Sequence, residues 1–172
     1  MVVQSIYKDE EKHMEKEKFV ALMKEAEATL FHVAFSILHH EQDSADAVSE
    51  AVVKAYEGKD TLRNPAYFKT WMVRIVINEC YGILRKNRRQ FPIAEQLFRE
   101  GSSVEEDCYI NAEYLDLYRA IQKLREKDKI CIVLFYMEGF TIPQIAEILS
   151  IPTGTVKSRL NRARKQLKDW LA

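Results

Sequence analysis

No stretch of this chain alternates apolar and polar residues over the length of a β-strand, whereas segment after segment repeats its apolar residues at the three- and four-residue spacing of a helix. Five glycines and four prolines in 172 residues are too few to cut those segments short. The chain is therefore expected to be all-α, and the remaining question is how its helices group.

The first helix is expected from about Glu15 to Leu38, with Phe19, Leu22, Met23, Leu30, Val33, Ala34, Ile37 and Leu38 on its apolar side. A second starts near Ser44 and stops before Gly58. A third has a plain beginning: Asn64 can cap it and Pro65 suits its first turn. It runs to about Asn87. Phe68, Met72, Ile75 and Val76 form one face and Val73, Ile77 and Cys80 lie elsewhere, so this helix should be buried between neighbours. Residues 15–90 thus read as a three-helix bundle.

From Arg88 the period dissolves, and Pro92, Gly101, Ser102 and Ser103 mark 91–108 as a flexible linker, with a short helix expected from Ala94 to Arg99. Tyr114, Leu117, Tyr118, Ile121 and Leu124 restart the period. A further helix is expected from about Asp128 to Glu138, stopping at Gly139. The fold class is two small helical domains, 15–90 and 109–172, joined by that linker.

The second domain ends in a recognisable pair. Thr141 and Gln144 form a capping box ahead of Ile145, Ala146, Ile148 and Leu149. Pro152 cannot continue that short helix, and Thr153 or Gly154 begins a longer one. A short helix, a tight turn and a longer basic helix is the helix-turn-helix pattern.

Charge sharpens the reading. The formal net charge is zero, yet after Ser150 stand Lys157, Arg159, Arg162, Arg164, Lys165 and Lys168 against Asp169 alone. A second basic knot is Arg85, Lys86, Arg88 and Arg89, and the stretch from Glu100 to Asp107 is acidic. At 100° per residue, Val156, Leu160, Ala163 and Leu167 share one side of the last helix. Ser158, Asn161, Arg162 and Lys165 take the opposite side, with Lys157, Arg159 and Arg164 on the flanks. That is an arrangement for reading base edges from the middle and holding phosphates from the edges. Thr155 and the free N–H groups of the first turn suit a phosphate as well.

Other function classes find little support. Cys80, Cys108 and Cys131 are odd in number and far apart, which reads as reduced thiols in a cytoplasmic protein. The charged run Lys8 to Lys12 is not a secretory leader, and no apolar run approaches a membrane span. His39 and His40 adjoin and point about 100° apart, a poor start for a metal site. No nucleophile elbow, phosphate-binding loop or zinc-protease motif occurs. No enzyme activity, cofactor, metal or small-molecule substrate is expected.

The segment "FTIPQIAEILSIPTGTVKSRLNRARKQL" resembles region 4 of the extracytoplasmic-function (ECF) sigma factors of bacterial RNA polymerase. "LFHVAFSILHHEQDSADAVSEAVVKAY" and "NPAYFKTWMVRIVINECYGILRKNRR" resemble their region 2. The likeness covers about Leu30 to Leu167 in the family's order. It implies a subunit that binds core RNA polymerase and takes it to selected promoter DNA. Asp43, Asp46, Ser49 and Glu50 would lie on the surface that docks on the polymerase, Ser49 standing where the family commonly has Gln. Asp60, Asn64, Tyr67, Phe68, Lys69, Trp71 and Arg74, with Arg85, Lys86, Arg88 and Arg89, would serve the −10 element. Thr155, Lys157, Ser158, Arg159, Asn161, Arg162, Arg164 and Lys165 would serve the −35 element. The Arg-Asn-Pro of residues 63–65 resembles the branch that answers cell-envelope stress. An anti-sigma factor, frequently membrane-bound in the family, is the implied regulator. The segment before Phe19 carries no motif.

The alternatives are a stand-alone helix-turn-helix regulator, with the N-terminal bundle for dimerisation or sensing, and an all-helical enzyme. The first leaves the region 2 likeness without a reason. The second has no catalytic constellation.

Overall fold

The computed structural model describes residues 14–90 and 112–172, and all of the regular structure among them is helical. Its main helices are α1 (Lys16–Leu38), α2 (Glu41–Glu57), α3 (Phe68–Gln90), α4 (Ala112–Gln122), α5 (Glu126–Ile132), α6 (Ile142–Leu149) and α7 (Thr153–Leu171). The expected linker of 91–108 and its short helix fall outside the described residues.

The first three helices pack as a bundle because each supplies one complementary surface. α1 contributes Leu30, Val33 and Ala34, and α3 contributes Met72, Val73, Val76, Ile77 and Cys80, all buried. The matching stripe on α2 is small: Ser44, Ala47, Ala51 and Ala55 recur at helical spacing and are at most 1% exposed. Short side chains let α2 lie close against its neighbours. One end is closed by aromatic rings. Phe19 meets Phe68 edge-on at 5.4 Å and Tyr56 at 5.3 Å.

Helix ends follow local chemistry. Asn64 Oδ1 accepts from the Ala66 N–H at 2.9 Å, and Pro65 opens a short 3-10 turn, Pro65–Tyr67, that leads into α3. α2 starts three residues earlier than its apolar period suggests. The His40 ring Nδ1 accepts from the Asp43 N–H and does the capping, with acids Glu41 and Asp43 in the first turn. α3 continues past Asn87 to Gln90, since its last basic residues need no buried partner to keep the backbone ladder.

α5 is shorter than its period suggests. After Ile132 the backbone widens into a π-helical turn, Val133–Met137. Glu138 N–H reaches the Val133 carbonyl and Phe140 N–H reaches that of Leu134. Gly139, at φ 72°, takes the left-handed position that lets the chain leave.

The two helical groups touch. Ile130, Cys131, Leu134, Ile145, Ile148, Val156 and Leu160 extend the buried core of the bundle rather than forming a separate one. Among the described residues, polar and cation–π contacts cross the joint. Lys129 Nζ lies 3.2 Å from His39 Nε2, and His32 Nδ1 lies 3.4 Å from Glu138 Oε1. Arg88 Nη2 lies 3.8 Å from Glu126 Oε1, and Lys69 Nζ sits 5.3 Å from the centre of the Phe140 ring.

Candidate nucleic-acid interface

The C-terminal helix pair is built by its own sequence. Thr141 N–H donates to Gln144 Oε1 at 2.9 Å while Gln144 N–H donates to Thr141 Oγ1, the reciprocal capping box. α6 ends at Ser150, which takes a left-handed φ of 53°. Ile151 N–H then bonds the Ala146 carbonyl, and Pro152 stands at the cap of α7. This turn sets α7 across α6, with Val156, Leu160 and Ala163 fully buried beneath it.

Burial of that face decides what is left for a ligand. Lys157, Ser158, Asn161, Arg162, Arg164 and Lys165 are exposed, while Thr155 and Arg159 are half-buried. Lys157, Asn161 and Lys165, with Ser158, form a continuous outward strip at four-residue spacing. Arg164 bends back, its Nε donating to the Leu160 carbonyl at 3.3 Å. Arg159 turns inward toward Cys131, whose thiol is pushed up by burial and partly held down by that guanidinium.

A hollow of about 500 Å³ opens beside the start of α7. Thr155, Arg159 and Arg162 of α7 line it, with Arg88 of α3 and Arg125, Lys127, Glu126 and Asp128 from the start of α5. Five of these side chains are cationic and two anionic, so the hollow favours an anion. Arg125, Lys127 and Asp128 carried no signal in the sequence, because the run REKDK reads there as an ordinary solvated helix start.

The N-terminal group divides differently. Asn64, Lys69 and Arg74 are exposed, Tyr67 is 51% exposed, and Trp71 is half-buried. Phe68 is 2% exposed and belongs to the core, where it anchors the segment that carries the others. Asp60 is exposed, and its Oδ1 accepts from the Met14 N–H at 3.2 Å. Arg85, Lys86, Arg88 and Arg89 are exposed at the far end of α3, about 25–32 Å from Phe68 at 1.5 Å per residue. Lys69 and Arg74 accompany two accessible aromatic rings, suited to unstacked bases, and the distant basic knot suits backbone phosphates further along a nucleic acid.

On α2, Asp46, Ser49 and Glu50 face outward. Asp46 accepts from Gln42 at 3.0 Å, and Glu50 lies 3.7 Å from Lys54, itself bonded to Glu79 at 2.7 Å. Asp43 is half-buried beside His40. Among the described residues, no group of three or more metal-ligating side chains gathers, and no helix is long and apolar enough to cross a membrane.

Comparison with known proteins gives the arrangement its relatives. The family model "Sigma-70 region 2" matches residues 22–90, and "Sigma-70, region 4" matches residues 114–167. The chain is 32% identical over 141 residues to RNA polymerase sigma factor SigV of Bacillus subtilis (strain 168), covering 82% of this chain and 83% of the relative. It is 33% identical over 139 residues to the ECF RNA polymerase sigma-E factor of Escherichia coli (strain K12), covering 74% of this chain and 73% of the relative. Its fold is similar to that of the sigma factor RpoE solved in complex with the anti-sigma factor NepR from Bartonella quintana. That match has a TM-score of 0.74 and 26% identity over 91% of this chain and 95% of the other.

Proposed function

The chain belongs to the extracytoplasmic-function branch of the sigma-70 factors of RNA polymerase, and from that membership we propose how its surfaces divide the work of starting transcription. A sigma factor is a polymerase subunit, a transcription initiation factor that supplies promoter choice. In our reading residues 15–90 dock on the core enzyme and meet the −10 element, 91–108 link, and 109–172 meet the −35 element.

The observation that carries the −35 assignment is the division of α7. Its buried side, Val156, Leu160 and Ala163, fixes the helix on α6, and that leaves Lys157, Ser158, Asn161, Arg162 and Lys165 outward on a helix of major-groove width. Asn161 and Arg162 have the donor patterns that read adenine and guanine. Lys157, Arg164 and Lys165 suit phosphates, as do Arg125 and Lys127 in the hollow they share with Thr155 and Arg162. At the other end, Asn64, Tyr67, Trp71 and Arg74 form the surface we assign to the −10 element, with Arg85, Lys86, Arg88 and Arg89 along the DNA backbone. Asp46 and Glu50 are assigned to the core polymerase, where two carboxylates one turn apart suit a basic partner.

An anti-sigma factor is the proposed regulator, in a cytoplasmic response to cell-envelope stress. Two observations support it. The Bartonella quintana relative is solved in such a complex. In this chain, Phe35 of α1, Leu117 and Ile121 of α4, and Val133, Tyr136 and Met137 beyond α5 line an apolar hollow of about 520 Å³. Tyr136 and Met137 there are 56% and 59% exposed, an apolar patch that fits a protein partner.

The test is promoter binding with and without core polymerase. Tight, sequence-selective binding only in the presence of core supports this reading. Equally tight binding to one duplex by the chain alone would identify a stand-alone regulator instead.

A further inference from the structure

Asp128 is an unusual acid for a helix packed against the helix-turn-helix pair. It is the third residue of α5, 1% exposed, and its Oδ2 is sealed from solvent without a hydrogen-bond partner. A carboxylate taken out of water needs a counter-charge nearby. The guanidinium of Arg162 on α7 lies against that oxygen, with Nη1 at 3.7 Å. The Arg162 side chain is itself 48% exposed. One edge of its guanidinium therefore faces a buried carboxylate and the rest faces the solvent side of the recognition helix.

Helix chemistry alone does not explain the burial. Acids are favoured in the first turn of α5, but Glu126 meets that preference from an exposed position. Glu126 pairs with Arg88 across the joint between the two helical groups. The Asp128–Arg162 pair, by contrast, lies wholly within the C-terminal group.

We propose that Asp128 is a positioning residue for promoter reading: its buried carboxylate holds the Arg162 guanidinium so that the free edge meets a guanine of the −35 element. This rests on the assignment of Arg162 to the −35 face. An arginine has five N–H donors in a rigid planar fork, so one edge can rest on a carboxylate while the other spans the N7 and O6 acceptors of guanine. Free arginine side chains explore many rotamers, and holding the fork beforehand spares that ordering when DNA arrives. A guanidinium so held reads one position and tolerates little drift.

The experiment uses holoenzyme reconstituted from core polymerase and the full chain, on a promoter library with all four bases at each −35 position. Arg162→Ala should lose about tenfold or more of the guanine preference at one position. Asp128→Asn, which keeps the shape and removes the charge, should lose several-fold at that same position, with other positions and the salt dependence unchanged. The double variant should match Arg162→Ala alone. Arg162→Lys keeps a cation against Asp128 without the fork, and it should fold normally yet lose the preference. If Asp128→Asn weakens every promoter equally, Asp128 is a structural residue and the proposal fails while Arg162 keeps its place. If Arg162→Lys retains the preference, no oriented fork is in use, and the proposal fails even where Asp128→Asn does not fold. If Arg162→Ala changes no preference, the assignment of Arg162 to base reading fails first and the positioning role falls with it.

Discussion

Lowering the pH from 7 to 4.5 should strip about 2 kcal/mol from the stability of the folded chain through one side chain, His39. Its ring sits at the joint between the helical groups, 3.2 Å from Lys129 Nζ. Burial first, and the Lys129 charge second, lower its pKa from 6.5 to about 4. The fold therefore holds the neutral ring, and the unfolded chain takes up the proton first. That contribution is fully present above pH 6.5 and is lost as the pH falls from there towards 4. At 1.36 kcal/mol per pH unit the loss at pH 4.5 is about 2.5 kcal/mol, and solvent screening of a half-buried ring trims it to about 2 kcal/mol. The comparison is with His39→Asn, which does not titrate. Asparagine also tolerates the left-handed backbone of this position, φ 52°. Lys129 keeps its bond to Gln122 Oε1 at 3.0 Å in that variant. Urea unfolding at pH 7, 6, 5 and 4.5 gives the two curves. Carboxylates contribute equally to both, so the difference between them isolates His39. If both proteins lose the same stability over this range, to within about 0.5 kcal/mol, the ring does not hold its neutral form at the joint and the argument is refuted.

Two further outcomes follow from the packing and the charges. Leu160→Ala removes a fully buried side chain from beneath α7 and should cost about 2–5 kcal/mol, read by chemical denaturation, with −35 binding lost as the helix loosens. Reversing Asp46 and Glu50 together to Lys should weaken the complex with core polymerase in a titration while leaving the helical content of the free chain unchanged; unaltered affinity would remove both residues from the docking surface.

The parts of the fold that were legible in the sequence are those set by neighbours in sequence. Asn64 with Pro65, and Thr141 with Gln144, announce helix starts because a side chain reaches an amide two or three residues away. The side of α7 that is buried follows from Val156, Leu160 and Ala163 at helical spacing. What stayed hidden depends on residues far apart in the chain. Nothing local says that Lys129 will meet His39, ninety residues earlier, or that Glu138 will meet His32. Phe68 shares a run with Tyr67 and Lys69, yet Phe19 claims it for the core. The π-helical turn after Ile132 was invisible because its apolar residues fit an α-helical period equally well. Asp128 looked like one acid among several, and only the packing of α5 under α7 seals it.

The most direct measurement of the central claim is run-off transcription. Purified core polymerase is supplied with fragments of the host genome, with and without the full-length chain. The account predicts discrete transcripts that appear only with the chain, from start sites sharing two spaced elements. In the same assay Asn161→Ala should alter which −35 sequences are used, and Arg74→Ala should weaken initiation without altering that choice. Transcripts identical with and without the chain would contradict its role as a sigma factor. Transcripts that depend on the chain but show no preference in the −35 element would contradict the reading of α7 as the helix that selects the promoter.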